Sequence, residues 1–262
     1  MPASSESAHS YKNEPVESSP SIEEPISRVQ EAGDGKEFLI IGGKKYYKHE
    51  LMTAFGGTLN PGLAPTPVNS FANPAPLGLS AFALTTFVLS MFNAQGMGIT
   101  TPNVVVGLAC FYGGAVQFFA GCWEMLVGNT FGATALTSYG AFWLSYAAIN
   151  IKAFGIAAAY EEDEVMFKNA VGFYLIGWAI VTFMFTMATL KSTVAFCALF
   201  SFLTITFILL GAGDLSQNVN VTRAGGVTGV ITAFLGFYNA FAGTANKQNS
   251  YFTAYPIPMT RK

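Results

Sequence analysis

The chain has 262 residues, of which 52% are hydrophobic and 15% aromatic, while only 11% are charged and the formal net charge is -2. A soluble globular chain carries about 25% charged residues, so this composition argues against one. The near-neutral balance also offers no basic surface for nucleic acid.

Residues 1–35 are rich in Ser, Glu and Pro and cannot bury enough apolar surface to order themselves, so a disordered cytoplasmic tail is expected there. Being polar, this stretch also predicts no cleavable signal peptide. Residues 36–72 form a membrane-proximal segment. Its first part, "GKEFLIIGGKKYYKHELMTAF", mixes lysines with Phe, Leu, Ile and Tyr. That pattern suits a segment lying along the cytoplasmic membrane surface, and suits equally a short strand and helix packed on the membrane bundle.

Between Glu50 and Glu124 the chain carries no Asp, Glu, Lys or Arg, and further charge-free intervals cover 125–151, 169–190, 192–213 and 224–246. A spanning helix needs about 20 mostly apolar residues. The first interval holds two such segments and each of the others one. Spans are expected near 77–94, 103–123, 131–151, 168–189, 193–213 and 222–244, with Gly, Pro, Asn and Thr marking the breaks. The runs are too long, and alternate too little, for a membrane barrel. The expected fold is therefore all-α, a polytopic membrane protein with a six-helix transmembrane domain over 73–246 and a cytoplasmic C-terminal tail over 247–262. Cys110, Cys122 and Cys197 all fall inside these spans, where they read as packing residues.

Lys and Arg sort by side of the membrane. The side shared by both termini holds Lys44, Lys45, Lys48, Lys191, Lys247, Arg261 and Lys262. The opposite side holds Lys152, Lys168 and Arg223, offset by the "EEDE" run at 161–164 and by Asp214. Both termini should face the cytoplasm.

No ionisable side chain is expected in mid-span, so neither an ion-pump relay nor a retinal lysine is predicted. His9 and His49 both precede the spans, and no phosphate-binding "GxxxxGK[ST]" occurs, so no metal site, cofactor or catalytic set is expected. Polar uncharged residues instead fall at helical spacing. Thr86, Ser90 and Asn93 share a face with Phe82, Gln117 recurs with Gly113 and Gly121, and Thr134 and Ser138 form a row in the third span. Hydroxyls and amides gain nothing against lipid, so these faces should meet other helices or a water-filled path. Glu124, at the end of the second span, is the best protein-borne candidate for a proton or gating role, although a Glu at a helix end is more often an interface anchor. In "NPAPLGL" (73–79), Asn and Pro suit a helix start. Asn73 is either a plain cap or part of the approach for a carboxylate drawn to the first-turn amides.

The sequence resembles the acetate uptake transporter family, the succinate/acetate permeases of bacteria and the acetate and ammonia-export proteins of fungi. The resemblance rests on "NPAPLGL", "FYGGAVQFFAGCWE" (111–124), "NTFGATALTSYGAFWLS" (129–145), "GFYLIGWAIVTF" (172–183), "TLKS" (189–192) and "VTRAGG" (221–226), and "KQNSYF" (247–252) looks like the fungal branch. It implies a plasma-membrane homo-hexamer in which each protomer passes acetate through a constriction of one Phe, one Tyr and one Leu. Matched by motif, these are Phe82, Tyr139 and Leu203. A neutral acid crosses a charge-free interior at far lower cost than a bare carboxylate, so acetate is expected to move with a proton. The alternative is a passive channel or exporter for ammonia or acetate.

Overall fold

The computed structural model describes residues 30–33, 36–54 and 71–260. Most of the expected disordered tail lies outside the described residues; within it, Gln30–Ala32 form a strand. The chain divides into two compact units, residues 1–70 and 71–262.

In the first unit β1 (Gln30–Ala32), β2 (Phe38–Ile41) and β3 (Lys44–Tyr47) form an antiparallel meander, followed by α1 (Lys48–Ala54). Register pairs Glu31 with Leu39 and Ile41 with Lys44. The β2–β3 turn is Gly42–Gly43, with φ of 57° and 77°, the left-handed pair that a two-residue hairpin requires. Lys48 Nζ donates to Glu31 Oε1 at 2.7 Å, tying the start of α1 to the far strand.

The second unit holds six long helices: α2 (Ala75–Asn93), α3 (Val104–Leu126), α4 (Thr130–Asn150), α5 (Glu164–Ala188), α6 (Val194–Leu215) and α7 (Val219–Thr244). They fall on the six expected spans. Five are long and apolar enough to cross a membrane. The remaining one, α4, has 21 residues, about 30 Å at 1.5 Å per residue. Its Thr, Ser, Tyr, Gly and Asn residues dilute its apolar character.

Short polar side chains start these helices. Asn73, Asn129, Asp163, Thr193 and Asn218 each accept a bond from a first-turn amide, at 2.8–3.3 Å. Each such cap is worth about 1 kcal/mol. Over Phe111–Val116 the ladder of α3 loosens into a π-helical stretch.

The bundle has an apolar core but also carries large apolar side chains on its outside and polar ones within. Phe111, Phe119, Phe173, Ile180 and Phe234 project from it, while Thr85, Ser90, Gln117, Glu124, Thr182 and Thr232 are buried. Most buried threonines donate to the carbonyl four residues back, as Thr85 does to Ala81 at 2.8 Å and Thr204 to Phe200 at 2.9 Å. Others bridge helices: Thr186 to Thr204 at 2.9 Å joins α5 to α6, and Thr206 to Thr228 at 3.0 Å joins α6 to α7. The small-residue stripe Gly225, Gly229, Ala233 packs within the chain. A Cβ at Gly225 would come 2.7 Å from the Leu210 side chain, and one at Gly226 would strike the backbone of Asn93 and Ala94.

Beyond α7 the chain returns as an extended strap along the α5–α6 link. Val194 N donates to Ile257 O and Met259 N to Ser192 O, both at 2.9 Å. The expected cytoplasmic tail over 247–262 is thus held to the bundle through these residues.

Candidate functional site

Phe82 on α2 and Tyr139 on α4 meet with ring centroids 5.8 Å apart, and both are almost fully buried. Two cavities lie against this pair, and Phe82 and Tyr139 line both. Leu203, on α6, lines the first cavity only. One turn earlier on the same helix, Phe200 lines the second cavity and faces Tyr139 at 6.3 Å. Trp178 and Phe185 of α5 complete the aromatic surround of Tyr139, at 6.1 Å and 5.8 Å.

The first cavity has a volume of about 170 Å³ and runs from this aromatic pair to the ends of α2, α4 and α6 and the start of α7. The second, of about 190 Å³, runs the other way to the starts of α2, α4 and α6. A single water needs only about 10–15 Å³ measured this way, so each accommodates a small hydrated anion.

Thr86, Ser90 and Asn93 line the first cavity as one face of α2, and the face recognised from helical spacing is therefore the inward one. Two buried polar atoms on its wall, Thr86 Oγ1 and Trp143 Nε1, have no partner in the protein among the described residues. Gln117 lines the second cavity, fully buried, with neither amide atom bonded. A buried polar group left unpaired costs about 1–3 kcal/mol. Such groups are where an ordered water or a bound molecule would supply the missing bonds.

Other expected residues stand elsewhere. Thr134 is exposed on α4, donates to its own Thr130 carbonyl at 2.8 Å and lines neither cavity, and Ser138 lines neither as well. Helix α4 instead faces the first cavity with Tyr139, Phe142 and Tyr146 and the second with Phe131, Ala135, Leu136 and Tyr139. Asn73 also lines neither; its Oδ1 caps α2 through the Ala75 amide at 3.0 Å, while Ala75 itself forms part of the second cavity. Glu124 is 1% exposed. Its backbone carbonyl accepts from Asn129 N at 2.9 Å, and its carboxylate lies against Gly132, with Oε1 unpartnered. Asn129 and Gly132 line the second cavity, so Glu124 stands directly behind its wall.

Three contributors were not legible in the sequence. Thr182 on α5 accepts the Tyr139 hydroxyl at 3.0 Å. Trp143 supplies an indole donor, for which polar-row spacing gave no signal. Asp214 lines the first cavity together with Asn93, Tyr146, Asn150 and Thr222. The expected fifth span stopped at residue 213, which placed Asp214 in a loop and left the path without fixed charge. Helix α6 runs on to Leu215 before Gln217, at φ 53°, ends the turn, and the carboxyl becomes part of the cavity wall.

Known proteins resemble this chain along most of its length. The profile of the GPR1/FUN34/yaaH family matches residues 55–261. The chain is 57% identical to Ammonia transport outward protein 2 of Saccharomyces cerevisiae, over 90% of this chain and 84% of that protein. It is 50% identical to Acetate permease A of Emericella nidulans, over 78% of this chain and 72% of the permease. Among solved structures, the bacterial acetate channel SatP superposes with a TM-score of 0.63 at 35% identity, covering 72% of this chain and 99% of that one.

Proposed function

The chain belongs to the GPR1/FUN34/yaaH family, and on that premise we propose that it is a membrane transporter for acetate and similar small monocarboxylates, moving them as the protonated acid. The observation that carries this reading is the pair of cavities meeting at Phe82 and Tyr139, each holding buried polar atoms without protein partners. Phe82, Tyr139 and Leu203 form the constriction, which sorts cargo by bulk. Thr86, Ser90 and Asn93 on one side and Gln117 on the other hand the carboxyl between them. Asn73 and the first-turn amides of α2 border the approach to the second cavity. Glu124 acts behind that cavity's wall as a proton or gating group. The protomers assemble as a hexamer in the plasma membrane, with both termini in the cytoplasm.

The test is uptake of labelled acetate into liposomes holding the purified protein, under an imposed pH difference, with protein-free liposomes subtracted because acetic acid crosses lipid unaided. Saturable uptake, driven by an inward proton gradient and abolished by a protonophore, is expected. Flux linear in concentration and indifferent to the gradient would make the path a passive channel. Ammonia export is the second reading, favoured by the name of the Saccharomyces cerevisiae relative; labelled methylammonium flux in the same liposomes distinguishes it.

A further inference from the structure

We propose that Asp214 is a proton-binding site of this path, sharing one proton with the cargo carboxylate inside the first cavity. The proposal rests on the reading of the two cavities as a monocarboxylate path. Among the described residues Asp214 is the only carboxylate that lines either cavity, and it takes part in no ion pair.

The groups around it leave it available. From α5, Lys168 lies within electrostatic reach of Asp214 but is engaged by Glu164 at 2.8 Å. From α4 come the uncharged Tyr146 and Asn150, from α2 Asn93, and from α7 Thr222. Arg223, next along α7, gives its guanidinium to Gln95. Phe167, Phe142, Phe207 and Leu210 make up much of the remaining wall and keep the local dielectric low.

Two carboxylates confined in such a space cannot both stay ionised, and one proton bound between them removes the repulsion. An acetate ion arriving at ionised Asp214 therefore draws one proton from the water on the open side. The pair holds that proton until the cargo moves on toward Tyr139. The proton leaves with the cargo as acetic acid, and Asp214 is left ionised for the next turn. One carboxylate thus sets a ratio of one proton to one acetate and keeps the bare anion from the constriction.

The experiment is titration calorimetry of acetate into the purified full chain at pH 6.5, in buffers of different ionisation enthalpy, which counts protons exchanged on binding. Free acetate is ionised at this pH, since carboxyl groups of its kind titrate near about 4.3. Wild type is expected to take up about one proton per acetate bound. Asp214→Asn should take up close to none, and Asp214→Glu about one, as in wild type. Undiminished proton uptake in Asp214→Asn would overturn the proposal, as would its loss in Asp214→Glu, which keeps the carboxyl whether or not the Asn variant folds. Acetate binding by wild type without proton uptake would overturn it while leaving the transport reading standing. Absence of acetate binding by wild type would remove both.

Discussion

Tyr139 donates its hydroxyl to Thr182 Oγ1 at 3.0 Å, a bond fully buried between α4 and α5. The hydroxyl of the ring that borders both cavities is thus committed to a neighbouring helix, and the ring is fixed by a residue that lines neither cavity. Thr182→Val removes the acceptor at constant shape and strands the buried hydroxyl, at a cost of about 1–3 kcal/mol. A lowered melting temperature together with a changed ratio of lactate to acetate uptake is expected, with Thr182→Ser restoring both. Tyr139→Phe and Thr182→Val should be non-additive, because they sever one bond. An unchanged uptake ratio in Thr182→Val would leave the bond a purely structural one.

Leu203 is 3% exposed and its side chain walls the first cavity. Leu203→Ala leaves a void and costs about 2–5 kcal/mol of stability, while widening the gap opposite Phe82 and Tyr139. Competition of unlabelled lactate against labelled acetate should strengthen severalfold. Unchanged competition would remove Leu203 from the constriction.

Gln117 places two unbonded amide atoms in a fully buried position at the second cavity. Gln117→Leu nearly conserves volume and removes the unsatisfied groups, so the variant should melt at a higher temperature, by an amount reflecting about 1–3 kcal/mol. Acetate flux should fall at the same time, because the cargo loses those partners. A variant with both higher stability and full flux would place the carboxyl elsewhere.

Gly226 faces the backbone of Asn93 and Ala94 at the end of α2. Backbone cannot yield as a side-chain tip does, so Gly226→Ala should cost about 1–3 kcal/mol through displaced helices. Gly177→Ala is the matched control, since nothing lies within 4 Å of a Cβ there. Thermal unfolding of the two variants side by side checks the difference.

The spans were legible because a bilayer excludes charge, and the chain keeps its charges at the ends of the apolar runs. The α2 face of Thr86, Ser90 and Asn93 was legible for a related reason: polar residues at helical spacing have to turn inward. Thr134 follows the same spacing but lines neither cavity, and its hydroxyl donates to the Thr130 carbonyl of its own helix at 2.8 Å. Asp214 was hidden by a two-residue difference in where α6 stops, which local turn geometry decides. Thr182 was hidden because its partner lies 43 residues away, a separation that no local pattern encodes.

The strap formed by Ile257 and Met259 clasps the link that leads into α6, and the first turns of that helix place Phe196, Leu199 and Phe200 around the second cavity. Trimming the chain before Ile257 therefore unfastens the floor on which one chamber is built. A fusion appended after Lys262 leaves those two main-chain bonds in place. Defects seen on C-terminal trimming should consequently be judged first as altered permeation, and only then as a lost address for trafficking.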